Sequence, residues 1–244
     1  NPADNYYSNL IQFLPILFFS NNKNIKIAIH RNLSNKFKKF IDKINKIREV
    51  KYSFVFLDDD FYGFQESVIP QFLKLEDSVK VLKSLILPRD ETDYDKKIYV
   101  TREDSNYRKI LNEFDLIPIL RKKGYKIINP QLCDIDEQIK IFSKEEKIIS
   151  PYGSNLSNLV FCKPRTQILE ITPKLDHNNE AIIKNRYKNI AKLNNLSLSH
   201  IYVDSVDVEN HSELAKKYIN KNFLENSNYY KNLVIKINDF RNLI

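Results

Sequence analysis

Short apolar runs alternate along this chain with longer stretches in which apolar residues recur every three or four positions, the pattern of strands alternating with helices. Residues 5–19 suggest a helix entering the core, and residues 25–29 (IKIAI) a short strand. Residues 32–48 carry Phe37, Phe40, Ile41, Ile44 and Ile47 at helical spacing with lysines between them, which predicts an amphipathic helix. SFVFL at 53–57 predicts a second, buried strand closed by Asp58, Asp59 and Asp60. A strand-like stretch over 64–69 and a helix over 75–85 complete this run.

Residues 88–96 are polar, include Pro88 and read as a linker, after which the alternation restarts. Strands are expected at 98–101 (IYVT), 125–128 (YKII), Ile148 and Ile149, 167–171 (QILEI) and 199–203 (SHIYV). Helices are expected at 112–123, stopped by Gly124, and at 134–145, 155–161 and 179–193. Two more, near 212–220 and 229–241, close the chain. This order implies parallel β-units with right-handed crossovers. The expected fold is therefore α/β with two Rossmann-like lobes, 1–90 and 91–205, and C-terminal helices over 206–244 packing across them. Such proteins bind ligands outside the carboxyl ends of their strands.

Composition narrows the partners. Of 244 residues 42% are hydrophobic, enough for a sizeable core, and the net charge of +8 attracts phosphorylated small molecules, anionic membrane or nucleic acid. Zinc-finger spacing, an aromatic-glycine RNA motif and an Arg-rich tail are all missing, so no nucleic-acid partner is expected. Cys133 and Cys162 lack metal-ligand spacing and read as reduced thiols, which suits a cytoplasmic protein. The apolar run 10–19 is too short to span a bilayer and is interrupted by Pro15. It also lacks the features of a signal peptide. Lys36, Lys38, Lys39, Lys43, Lys46 and Lys51 read as the wet face of a lobe helix, with contact to anionic lipid as the other reading. The absence of Met and the start at Asn1 suggest a piece of a longer product.

Three segments carry candidate chemistry. At Pro151-Tyr152-Gly153-Ser154-Asn155 a strand runs into a small-residue turn that opens a helix, so unpaired N–H groups can receive a diphosphate. The plain alternative is an ordinary turn with Ser154 or Asn155 as N-cap. Arg102 follows IYVT, with Arg108, Asn112 and Glu113 beyond it; an Arg there can clamp a phosphate, or pair with Glu103, Asp104 or Glu113. Glu170 interrupts an apolar strand near its end, where a carboxylate can accept ribose hydroxyls or simply face solvent. His177, His200 and His211 are scattered and read as surface or structural.

Taken together, residues 98–173 resemble glycosyltransferase family 61, which includes plant xylan xylosyltransferases, O-linked GlcNAc transferases of the secretory pathway and bacterial capsule-type enzymes. The resemblance runs through Arg102, Arg108, Asn112-Glu113, Gly124, Pro130, Glu137-Gln138, Pro151-x-Gly153, Leu156, Asn158-Leu159, Phe161, Pro164, Thr166 and Glu170. It extends to Asn5-Tyr6-Tyr7-Ser8-Asn9-Leu10 with Pro15, similar to the family's Asn-Tyr-x-His-Trp-Leu helix. The resemblance implies a two-lobed GT-B fold, a nucleotide-sugar donor (UDP-linked), inversion, no bound metal or other cofactor, and a glycan or protein acceptor. It places Arg102, Arg108, Tyr152, Gly153, Ser154, Asn155 and Asn158 at the donor, with Glu170 near the nucleoside.

The chain departs from the family at instructive positions. Tyr152 stands where the family usually has His, Glu103 where it has a second Arg, Ser8 and Asn9 where it has His and Trp, and Arg165 where it has Gly. Arg165 and Lys163 either supply positive charge to the altered loop or lie on the surface. The candidates for a catalytic base are Asp58, Asp60, Glu66 and Ser8, with Asp59 and His30 nearby; consecutive aspartates equally mark a solvated turn. Two readings follow: a transferase with a relocated base, or a decayed module that binds a glycan or protein partner.

Overall fold

The computed structural model describes residues 5–19, 26–48, 53–58, 60–85, 96–173, 181–208, 216, 221 and 228–244, and it divides into two units, Asn1–Pro88 and Arg89–Ile244. Asp59, the expected linker, His177, His211 and all but Lys216 of the helix expected near 212–220 lie outside the described residues.

In the first unit a π-helical segment, Ser8–Phe13, runs into α1 (Leu14–Phe19). Leu10, Ile11 and Leu14 are buried, and this helix packs on α3 (Leu75–Ser84) through Val79 and Leu82. Helix α2 (Asn35–Arg48) buries Phe37, Phe40, Ile41 and Ile44 along one face, as their spacing requires. Strands β1 (Lys26–His30) and β2 (Ser53–Leu57) pair in parallel, Ala28 opposite Val55. Two expectations are corrected. Strand β2 is not a buried strand, because Val55 and Phe56 are exposed on this two-stranded ribbon. Residues 64–69 form no strand; Phe64, Val68 and Ile69 lie exposed on irregular chain, since an apolar run becomes a strand only when a neighbour completes its ladder.

The second unit is a curled six-stranded sheet with helices on its faces. Its strands are β3 (Lys96–Val100), β4 (Tyr125–Ile128), β5 (Glu145–Pro151), β6 (Gln167–Pro173), β7 (Ser197–Val206) and β8 (Asn232–Val234). They lie in the order β4-β3-β5-β6-β7-β8, all parallel except β8, which runs antiparallel to β7. After β4 the chain crosses back over β3, so the order reverses between β3 and β5, the switch point at whose carboxyl ends α/β sheets form a ligand crevice.

One face packs α4 (Glu113–Lys122) and α7 (Ile237–Leu243) against the sheet, with Leu116, Leu120 and Phe240 buried on Tyr99, Ile149, Ile171 and Ile201. Gly124 ends α4 with φ of 84°, the left-handed cap that a Cβ would strain. Helix α5 (Ile135–Phe142) opens with a capping box between Asp134 and Glu137. It stops three residues short of its expected end because Glu145 already belongs to β5, a seven-residue strand rather than two residues. The expected helix after β5 is a 3-10 helix, Ser154–Phe161, packed between α5 and α6 (Ala181–Leu193).

The C-terminal segment also differs from expectation. Residues 229–241 are not one helix: a 3-10 turn, Asn228–Tyr230, leads into β8 and only then into α7. Strand β8 holds the loop that follows β3. The N–H of Arg108 donates to the Lys231 carbonyl at 3.0 Å, and those of Leu111 and Leu233 donate to the carbonyls of Leu233 and Lys109 at 2.8 Å each. Asn112 grips Ile235 both ways, its Nδ2 donating to the carbonyl at 2.8 Å and its Oδ1 accepting the N–H at 3.1 Å. Leu233, fully buried, fixes the strand in place.

Candidate functional site

The crevice between β3 and β5 is where the two strongest sequence candidates meet. Tyr99 and Thr101 donate from β3 and its end to the two oxygens of Glu113, at 2.5 and 2.7 Å, so the strand leaves the sheet in a fixed direction. Glu103 and Asp104 instead receive the Asn129 amide, at 3.3 and 2.5 Å. Arg102 is buried and lies against Gly153; a Cβ built on Gly153 would sit 2.9 Å from the guanidinium carbon. The glycine therefore makes room for an arginine.

The turn itself is firmly held. The N–H of Tyr152 donates to the Ile171 carbonyl at 2.7 Å, and that of Leu156 to the Gly153 carbonyl at 2.9 Å. Asn158 is fully buried and donates to Gln138 Oε1 at 2.9 Å and to the Asn155 carbonyl at 3.1 Å, while Gln138 reaches back to the Pro130 carbonyl at 3.0 Å. Asn158 braces the turn from beneath. Ser154 and Asn155 are half-buried at its rim.

Arg108 adopts a left-handed φ of 60°, a costly conformation for a residue with a side chain, and is held there by the β8 contacts. Its guanidinium lies 4.8 Å from the Tyr107 ring centroid and 5.5 Å from that of Tyr152. Tyr152 is buried and packs edge-on against Tyr187 of α6 at 5.1 Å.

Beside Tyr152 opens a cavity of about 330 Å³, lined among others by Glu170, Asn185, Lys188, His200 and Tyr202. Glu170 and His200 face each other across the β6–β7 register, Oε2 to Nδ1 at 3.6 Å. Glu170 is not a solvent-facing edge residue. Burial pushes its carboxyl up to about 8, against the opposing pull of Arg108, so it is largely protonated at neutral pH. His200, which the sequence marks only as a surface or structural histidine, lines this cavity beside Glu170. Its 30-residue separation from Glu170 is bridged only by strand register, which single-sequence patterns do not show.

The remaining candidates lie elsewhere. Arg165 and Lys163 precede β6, at the edge opposite the Tyr152 turn; with Arg165 exposed there, this is the surface reading rather than charge for the loop. Arg165 has φ of 74° and its N–H donates to the Asn195 carbonyl at 2.7 Å, a turn geometry that suits glycine. In the first unit Ser8 is buried in the π-helical segment, its N–H donating to Asn5 Oδ1 at 3.0 Å. Asp58 pairs with Arg31 at 3.1 Å and bonds the Tyr62 hydroxyl. Asp60 and Glu66 are exposed. Among the described residues no group of three or more His, Cys, Asp or Glu is placed to hold a metal ion, and no helix is long and apolar enough to cross a membrane.

Residues 3–169 match the family model Glycosyltransferase 61, more than half of the chain. The chain belongs to glycosyltransferase family 61. No curated protein matches it. The match places the protein among the glycosyltransferases, with a sugar donor and an acceptor as its partners. It takes in Arg102, Arg108 and the Gly153 turn and ends at Leu169, so Glu170, Lys188 and His200 lie beyond it.

Proposed function

We propose that this family 61 glycosyltransferase takes its sugar from a nucleotide sugar, UDP-linked, and passes it with inversion to a hydroxyl of a glycan or protein. The observation that carries the reading is the packing of Arg102 on Gly153 at the crevice between β3 and β5. A guanidinium held there, with half-buried Ser154 and Asn155 at the turn's rim, suits a diphosphate, whose departing charge a metal-independent transferase must stabilise with cations and backbone N–H groups. Glu170, protonated at neutral pH, lies near the nucleoside as a hydrogen-bond donor. Asn158 acts by holding the turn.

A two-lobed GT-B fold belongs to this proposal. So do a base drawn from Asp58, Asp60, Glu66 or Ser8, and a cytoplasmic location with peripheral membrane contact through the α2 lysines. Thermal-shift titration with UDP, GDP and CDP, followed by donor hydrolysis without acceptor, tests it. A nucleotide-dependent rise in melting temperature that Arg102→Ala abolishes is expected; no response to any nucleotide refutes it.

One observation favours a second reading, a binding module without catalysis. Tyr152, where the family usually carries His, is buried between Tyr187 and Arg108 and offers no imidazole. Nucleotide binding without donor hydrolysis or transfer supports that reading.

A further inference from the structure

We infer that His200 is a further donor-binding residue: backed by the buried carboxyl of Glu170, its imidazolium joins Lys188 in gripping the phosphate that leads out of the cavity beside Tyr152. The inference rests on the nucleotide-sugar reading and deepens it, using residues outside the family match. The cavity, about 330 Å³, is large enough for a nucleoside with its first phosphate, and it is lined by two groups able to carry positive charge, Lys188 and His200, and one acid. The acid is Glu170, 3.6 Å from His200 Nδ1 and nearly inaccessible to water. Kept protonated at neutral pH by its burial, the carboxyl beside the imidazole brings no negative charge against an anionic ligand. Tyr202 stacks loosely on the imidazole, ring centroids 6.2 Å apart and planes 29° apart.

The arrangement makes affinity depend on pH in two steps. Among the described residues, the titratable or charged groups around Glu170 are Arg108 from the loop after β3, Tyr152 from the turn after β5, Lys188 from α6, and His200 and Tyr202 from β7. Loss of the imidazole proton of His200 removes one cation from the phosphate. Glu170 loses its proton at about 8, which places a buried anion beside the ligand. Both losses weaken binding as pH rises.

The test is calorimetric binding of UDP, inorganic pyrophosphate and uridine to the full chain between pH 6 and 9. UDP is expected to bind about tenfold more tightly at pH 6 than at pH 9, each lost charge-assisted contact accounting for part of that. His200→Asn should remove the step that belongs to the imidazole and Glu170→Gln the alkaline step, while uridine shows neither. A UDP profile for His200→Asn that superimposes on wild type overturns the inference while leaving the donor reading intact. Equal dependence of uridine on His200 also overturns it, because the site would then read the nucleoside. Failure of wild type to bind UDP or pyrophosphate at any pH sinks the donor reading itself.

Discussion

Replacing Glu170 with Gln removes a carboxyl that burial pushes from its ordinary value near 4.5 to about 8. Below pH 4.5 the acid is protonated both folded and unfolded, and the shift costs nothing. Between those values the unfolded chain releases the proton while the folded chain keeps it, so stability falls as pH rises, by about 1.4 kcal/mol per unit. Above 8 both states are ionised and the loss levels off. From pH 5 to pH 7.5 the wild type should therefore lose about 3 kcal/mol relative to Glu170→Gln. The amide nearly matches the carboxyl in size, so cavity and packing terms cancel at the acid end. The assay is urea denaturation by circular dichroism at several pH values and constant ionic strength, comparing midpoints at equal slope. All other titrating groups are common to both proteins and drop out of the difference. Curves that stay parallel from pH 5 to 7.5 would show that Glu170 ionises normally, and the protonated-carboxyl reading of the cavity would go with it.

Three further outcomes are expected. Gly153→Ala drives a Cβ into the Arg102 guanidinium, so the UDP-induced thermal shift should vanish as it does in Arg102→Ala, and the double variant should be no worse than either; additive losses would separate the two residues. Arg165→Gly relieves a left-handed backbone at a residue that needs no side chain there, and should stabilise the fold by about 1 kcal/mol in the same denaturation assay. Tyr99→Phe deprives Glu113 of one of its two donors at the mouth of β3, with an expected cost of about 1 kcal/mol and a reduced UDP response; an unchanged protein would mean that this brace is idle.

The parallel strands were legible because each carries a short run rich in apolar residues: YKII, QILEI and the centre of β7 stand where the pattern puts them. The same pattern read β5 too short, since Glu145 and Lys147 look polar although Glu145 is buried at the strand's start. Strand β8 was illegible. Only Leu233 of its three residues is buried, and the contacts that tie it to the loop after β3, such as that of Asn232 with Lys109, span 123 positions. In the candidate site, Arg102 and the Gly153 turn were marked by strand ends and small residues, which are local features. Arg108 over Tyr152, and His200 beside Glu170, depend on a left-handed kink and on interstrand register, and neither leaves a local trace.

The clasp between the loop after β3 and β8 has a consequence for how the protein comes into being. Lys109 waits 123 residues for Asn232, the residue whose side chain accepts its N–H. During synthesis the central strands and their helices can therefore settle while Arg108 is still untethered, and the crevice acquires its second guanidinium only when the closing hairpin of β7 and β8 emerges. Ribosome-stalled chains ending before residue 231 should fold their sheet yet leave that loop open to proteases.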